Sequence, residues 1–333
     1  MCMINTYLYQ KKTQKVTTDV SFDMIKEYAT HTSTYEKGHE DDLLWIDIYD
    51  SSVAELTSIG NLLHFHPLAI EDCLQHTLRS KVDKYENHTF FIFNSVTYAE
   101  EKEEEISTQH FSVFLGKSFI VTVHPKKHRA IGQVVDRFKL YPDKMVKGPD
   151  YLLYSILDSI VDSYFPTLER LSERIDELED EMYVHPAQAI SEEFLALKRT
   201  IVLFRRVIQP QKRIFFNIRN QYMFTIQEEN IPYFMDLVDH LERIADSLEV
   251  YRDLVSGAMD TYFSLVSART NHTMKRLTII TTITAGLTSV TGFYGMNLPL
   301  PFDHSPATTM VILSFVLIFP FIGWLVTRKD KRI

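Results

Sequence analysis

The run from Leu277 to Asn297, LTIITTITAGLTSVTGFYGMN, constrains this chain more than any other stretch, because it holds no acidic or basic residue. From Leu277 to Phe293 it offers about 17 residues, the lower edge of what a bilayer-spanning helix requires, and it is read as a membrane span. Its polarity is ordered. Steps of three and four from Asn271 give Asn271, Met274, Thr278, Thr281, Ala285, Thr288 and Gly292, one helical face of mostly small or polar side chains. Leu277, Ile279, Ile280, Ile283, Leu287, Val290 and Phe293 make up much of the greasy remainder. Such a helix can turn its apolar side to lipid or neighbours and its polar side to an axis that water or other helices approach. Taken alone, the threonine face fits simple helix packing equally well.

A second apolar stretch, Thr308 to Val326, follows and is interrupted by Pro320, which neighbouring helices accommodate inside a membrane. Lys275 and Arg276 precede the first stretch, and Arg328, Lys329, Lys331 and Arg332 follow the second. The linker between them has neither lysine nor arginine, so the positive-inside rule places both termini in the cytoplasm and the linker outside. The N-terminus, MCMINTYLYQKKTQK, lacks the apolar run of a signal peptide. Cys2 and Cys73 form no CxxC, as expected in a reducing compartment. A net charge of -9 argues against nucleic acid as a main partner and suits cations. Neither GxxxxGK[ST] nor GxGxxG is present, so no nucleotide is expected.

Residues 1–148 read as an α/β cytoplasmic domain. Leu43 to Ile48, His88 to Val96 and Phe111 to Val123 are rich in β-branched and aromatic residues, and Ser51 to Gly60, Pro67 to Gln75 and Lys127 to Lys139 read as helices. Gly148-Pro149 marks the switch to a helical half. There, 149–230 reads as a helical hairpin region, its acidic and basic runs explained by solvated faces. A long α-helical stalk starts at Asn230-Ile231-Pro232 and meets no proline until Pro299. Its cytoplasmic part is 231–276, followed by a first transmembrane span over 277–297, an external loop over 298–307, a second transmembrane helix over 308–326 and a basic tail over 327–333.

The outer end of the first span, Tyr294-Gly295-Met296-Asn297, matches the YGMN motif of the CorA family of magnesium transporters. Asn271 to Thr278, NHTMKRLT, resembles that family's approach to its pore helix. His66-Pro67-Leu68 with Glu71-Asp72, Tyr151 to Tyr154 with Asp158, and Ile231 to Phe234 with Asp236 extend the resemblance over nearly the whole chain. The resemblance implies a homopentameric channel in the plasma membrane, with magnesium as both cargo and regulator and cobalt as an additional cargo. It implies Gly295, Met296 and Asn297 as the selectivity entrance, and Asn271, Met274, Leu277, Thr278, Thr281, Ala285, Thr288 and Gly292 as pore lining. It further implies that Glu71, Asp72, Asp158 and Asp236 bind regulatory magnesium between protomers. Catalytic residues are not implied. One departure is Ala285-Gly286, where relatives often carry a bulky residue followed by proline.

The residue types suit that chemistry. Magnesium sheds water reluctantly, so a conducting pore needs neutral oxygen acceptors for water hydrogens and not a carboxylate cage. Asn297 offers an amide oxygen, and Thr288, Thr281 and Thr278 offer hydroxyls. Leu277 and Met274 suit an apolar constriction above Asn271. Two spans per chain cannot enclose a pathway, so several copies are required. Moving a divalent ion inward across 100 mV yields about 4.6 kcal/mol, so no ATP site is needed. Two other readings stand beside this one: the same architecture carrying zinc, cobalt or nickel, and a membrane-anchored enzyme or adaptor. His64, His66 and His304 lack a third ligand at zinc-motif spacing and are read as structural.

Overall fold

A computed structural model describes residues 3–33, 42–75, 79–99, 102–145, 147–184, 188–216 and 226–296, with 306, 307, 310, 311, 314, 318 and 321. Two compact units result, Met1–Asp180 with Gln188–Gly257, and Glu181–Ala187 with Ala258–Ile333. The first contains strands β1 (Met3–Gln10), β2 (Lys15–Thr18), β3 (Leu43–Tyr49), β4 (Lys81–Lys84), β5 (Thr89–Ala99), β6 (Lys102–Leu115) and β7 (Phe119–His124). They form one sheet in the order β2-β1-β3-β7-β6-β5-β4. Among the described residues only β3 and β7 pair in parallel. The helices are α1 (Phe22–Ser33), α2 (Val53–Leu62), α3 (Pro67–Leu74), α4 (Arg129–Leu140), α5 (Pro142–Met145), α6 (Pro149–Asp162), α7 (Tyr164–Val184), α8 (Gln188–Phe216) and α9 (Ile231–Tyr294).

Helices cover both faces of the sheet. Leu44, Ile46 and Ile48 alternate on one face of β3 and join a core with Leu56 and Ile59 of α2 and Ala69 and Cys73 of α3. Trp45 points the other way and meets Phe138 of α4 edge-on at 5.7 Å, while Phe93 of β5 stacks on Phe215 of α8 at 5.5 Å. Burial on both faces is why Leu43 to Ile46 and Phe90 to Phe93 are unbroken apolar runs rather than alternating ones. Asp47 interrupts β3, yet its carboxylate accepts from Thr122 Oγ1 at 2.6 Å and lies 3.0 Å from His124 Nε2.

One sequence expectation changes here. The stretch Phe111 to Val123 forms the end of β6 and most of β7, divided at Gly116, whose N–H donates to the Phe119 carbonyl at 2.9 Å. A Cβ at Gly116 would meet the Phe119 ring at 2.2 Å, so the tight return needs glycine. His64 and His66 lie outside the strands. His64 has φ 56°, and His66 caps α3, its Nδ1 accepting from the Leu68 N–H at 3.2 Å. Strands β1, β2 and β4 and helix α1 were not visible in the sequence pattern.

His88 is buried between Phe65 and Phe114, and both its ring nitrogens lack hydrogen-bond partners among the described residues. Burial, and to a lesser degree His66, pushes its pKa from 6.5 down to about 4. Between those two values the unfolded chain takes up a proton that the native state refuses, so stability falls as pH drops from 6.5 to 4. His88→Phe keeps the aromatic packing without the titrating group. We expect the urea midpoint of the variant to fall less than that of wild type over this window; equal falls would show that His88 is not a source of the acid sensitivity.

In the helical half, α7 and α8 are antiparallel: Tyr164 meets Phe204 at 5.5 Å, and Arg174 is ion-paired with Glu193. Their connection, 185–187, lies outside the described residues. The start of α9 is fixed by Asn230, whose Nδ2 donates to buried Asp150 on α6 at 2.9 Å, and Pro232 occupies its first turn. From there α9 continues for 64 residues. Its first part buries Phe234, Leu237, Leu241, Ile244, Leu248 and Val255 at helical spacing. Among the described residues no helix is long and apolar enough to cross a membrane. The uncharged part of α9 begins only after Arg276, and its threonines and glycines lower its apolarity. Most of the second apolar stretch, 308–326, and all of 297–305 and 322–333 lie outside the described residues.

Candidate functional site

Asn271, Met274, Leu277, Thr278, Thr281, Ala285, Thr288 and Gly292 all lie on α9 and are exposed in the single chain. The threonine hydroxyls are not free donors. Thr278 donates to the Met274 carbonyl at 2.9 Å, Thr281 to Leu277 at 2.9 Å and Thr288 to Thr284 at 2.8 Å. Thr282, Thr284 and Thr291 bond to carbonyls four residues back in the same way. With its proton committed to the backbone, each hydroxyl oxygen faces outward as an acceptor only. Such a surface can accept hydrogen bonds from water that surrounds a cation. Below it Met274 and Leu277 are each 60% exposed, an apolar patch on a single helix.

At the end of α9 the Gly295 N–H donates to the Thr291 carbonyl at 2.9 Å, and a Cβ there would lie 3.0 Å from that oxygen. Glycine is favoured where the chain leaves the helix. Met296 follows, 49% exposed. Asn297, the third residue of the expected selectivity entrance, lies outside the described residues, as does His304.

The expected regulatory carboxylates separate into distinct settings. Asp158 and Asp162 occupy successive turns of α6, and His240 approaches them from α9, with one ligand atom from each lying within 4.8 Å of the others. His240 stands edge-on to Phe165 at 6.0 Å, and its Nδ1 is buried without a hydrogen-bond partner among the described residues. Burial pushes the Asp158 carboxyl above its ordinary range; negative Asp162 and Asp236 add to the rise, and His240 and Arg137 oppose it. A cation among these groups would relieve the repulsion, and two carboxylates with an imidazole can each offer it a ligand atom.

Asp236 is exposed on α9, one turn before His240. Asp72 on α3 pairs with Lys81 at 2.6 Å, and Glu71 accepts from Gln75 at 3.3 Å. Sequence reasoning therefore missed Asp162 and His240. The available signal was spacing, because each stands four residues after a residue already singled out, Asp158 and Asp236.

An α/β domain with a carboxylate–imidazole cluster, continued in sequence by one very long helix with an uncharged acceptor face, defines a chain that presents oxygen atoms to cations. The family model described as "CorA-like Mg2+ transporter protein" matches residues 40–329. The chain belongs to that family. It is 36% identical over 265 residues to the cobalt/magnesium transport protein CorA of Thermotoga maritima, covering 79% of this chain and 74% of that protein. It is 28% identical over 294 residues to the cobalt/magnesium transport protein CorA of Methanocaldococcus jannaschii, covering 85% and 92%. The complete structure of the CorA magnesium transporter from Methanocaldococcus jannaschii shares the fold, with a TM-score of 0.80, 23% identity, and 98% of this chain and 97% of that chain covered.

Proposed function

We propose that this protein carries magnesium across the plasma membrane, driven by the electrochemical gradient, with cobalt as an additional cargo. The observation that carries the reading is the acceptor-only threonine face of α9. A hydrated magnesium ion presents water hydrogens, and neutral oxygens bind them without holding the ion fast. Back-bonding also lowers the cost of placing these hydroxyls in lipid, which supports a membrane span at 277–297 despite its modest apolarity. The entrance is Gly295, Met296 and Asn297, and several copies of α9, five by family resemblance, turn the small face inward. Exposed Met274 and Leu277 would then meet their counterparts and form the apolar constriction. Both termini lie in the cytoplasm, as the flanking basic residues require.

Regulation is assigned to Asp158 with Asp162 and His240, with Asp236, Glu71 and Asp72 as nearby or neighbouring-copy carboxylates. Bound magnesium would neutralise the cluster and favour the closed arrangement. The imidazole gives a specific reason to keep zinc, cobalt and nickel in view, since nitrogen ligands suit those metals better than magnesium. The test is uptake into proteoliposomes under an inside-negative potential. We expect magnesium influx that persists without nucleotide; zinc, cobalt or nickel flux that excludes magnesium would replace the magnesium reading, and absence of all flux would leave the spans as anchors.

A further inference from the structure

A groove of about 980 Å³ runs between α4 and α6, lined by Lys127, Arg129 and Arg137, by Ser159 and Ser163, and at one edge by Asp162. Although the chain carries a net charge of -9, the side chains of Lys127, Arg129 and Arg137 form no ion pair with any described residue. With two carboxylates, Asp136 and Asp162, beside these three cations, the groove keeps a net positive charge on an acidic protein and attracts anions. Hydrogen-bonding capacity surrounds them. Ser159 donates to the Ala130 carbonyl at 3.3 Å, which leaves its oxygen lone pairs available, and Gln109 and Gln133 contribute amides. His128, at the start of α4, supplies no side-chain cap to the first turn. Burial holds its pKa at about 4, so at neutral pH it adds no charge.

Spacing restricts the ligand. Arg129 and Arg137 are eight residues apart on α4, roughly 12 Å along the axis, which leaves room for more than one phosphoryl group between them. A chain of phosphoryl groups can reach both, and guanidinium forks suit phosphoryl oxygens. The carboxylates of Asp136 and Asp162 would repel a bare polyanion, but magnesium is commonly held by one or two carboxylates together with phosphates. We propose that this groove binds the magnesium complex of a polyphosphate, Arg129 and Arg137 holding the phosphoryl oxygens and Asp162 reaching the metal. No glycine-rich loop is involved, so the absence of phosphate-loop motifs does not bear on it. The transporter would thereby respond to the cell's main magnesium-chelating anions as well as to the free ion. Asp162 is shared with the cation cluster and Arg137 also acts on Asp158, whereas Arg129 belongs to the groove and His240 to the cluster, so the two readings fail separately.

The experiment is calorimetric titration of the full-length, detergent-solubilised protein with inorganic triphosphate and equimolar magnesium. Saturable binding is expected, weakened about tenfold or more in Arg129→Gln/Arg137→Gln at an unchanged melting temperature. Asp162→Asn should remove the advantage of the magnesium complex over metal-free triphosphate, and Asp158→Asn, which removes a cluster carboxylate but no groove-lining residue, should not weaken binding. Tighter binding of a nucleoside triphosphate than of inorganic triphosphate would identify a nucleotide as the source, and equal binding an inorganic chain. No saturable binding by wild type, undiminished binding by the double arginine variant, or an equal loss in Asp158→Asn would overturn the assignment.

Discussion

Asn297→Ala is expected to lower magnesium uptake about a hundredfold while assembly survives, a loss equivalent to roughly 2.7 kcal/mol at the mouth of the pathway. Asn297 is the last residue of the motif that follows α9, and it is assigned an amide oxygen that each copy presents to the entering ion's water shell. Alanine removes that acceptor without adding bulk. Thr288→Val, isosteric but lacking the acceptor oxygen, should reduce uptake by a smaller factor, because other oxygens on the same face remain. Gly295→Ala should also be severe, since its added Cβ would press on the Thr291 carbonyl at 3.0 Å. Wild-type uptake by a correctly assembled Asn297→Ala protein would remove the entrance from this motif.

The second large effect concerns inhibition by internal magnesium. Asp158→Asn combined with His240→Gln should raise the inhibiting concentration about tenfold, because two of three clustered ligands are weakened. Asp72→Ala should shift it less, since Asp72 already has Lys81 as a partner at 2.6 Å. Selectivity in both variants should match wild type. The pH dependence follows from the same carboxyl. Burial raises the Asp158 pKa, so it protonates at higher pH than an ordinary aspartate, and inhibition should weaken earlier on acidification than a free carboxylate would predict. Currents in excised patches during a magnesium titration make the measurement. An unchanged inhibition curve in the double variant would reduce the cluster to ordinary surface charge.

The sequence by itself determined the long helix and its face. Residues from Ile231 to Tyr294 contain helix-compatible periodicity without an internal proline beyond the first turn, and helix formation depends on neighbours within four residues. The same locality fixed the threonine stripe, because a face is a matter of spacing alone. It also marked β3, whose side chains are buried on both faces and leave an unbroken apolar signature. Short edge strands such as β2 and β4 carry no comparable signature, since one or both of their faces stay wet. What only the tertiary structure decided was which charged groups meet. His240 lies far from Asp158 and Asp162 along the chain, and nothing local in either segment specifies that α9 docks against that turn of α6. Packing of apolar faces sets the docking, and the cluster of two carboxylates and an orphaned imidazole is its consequence.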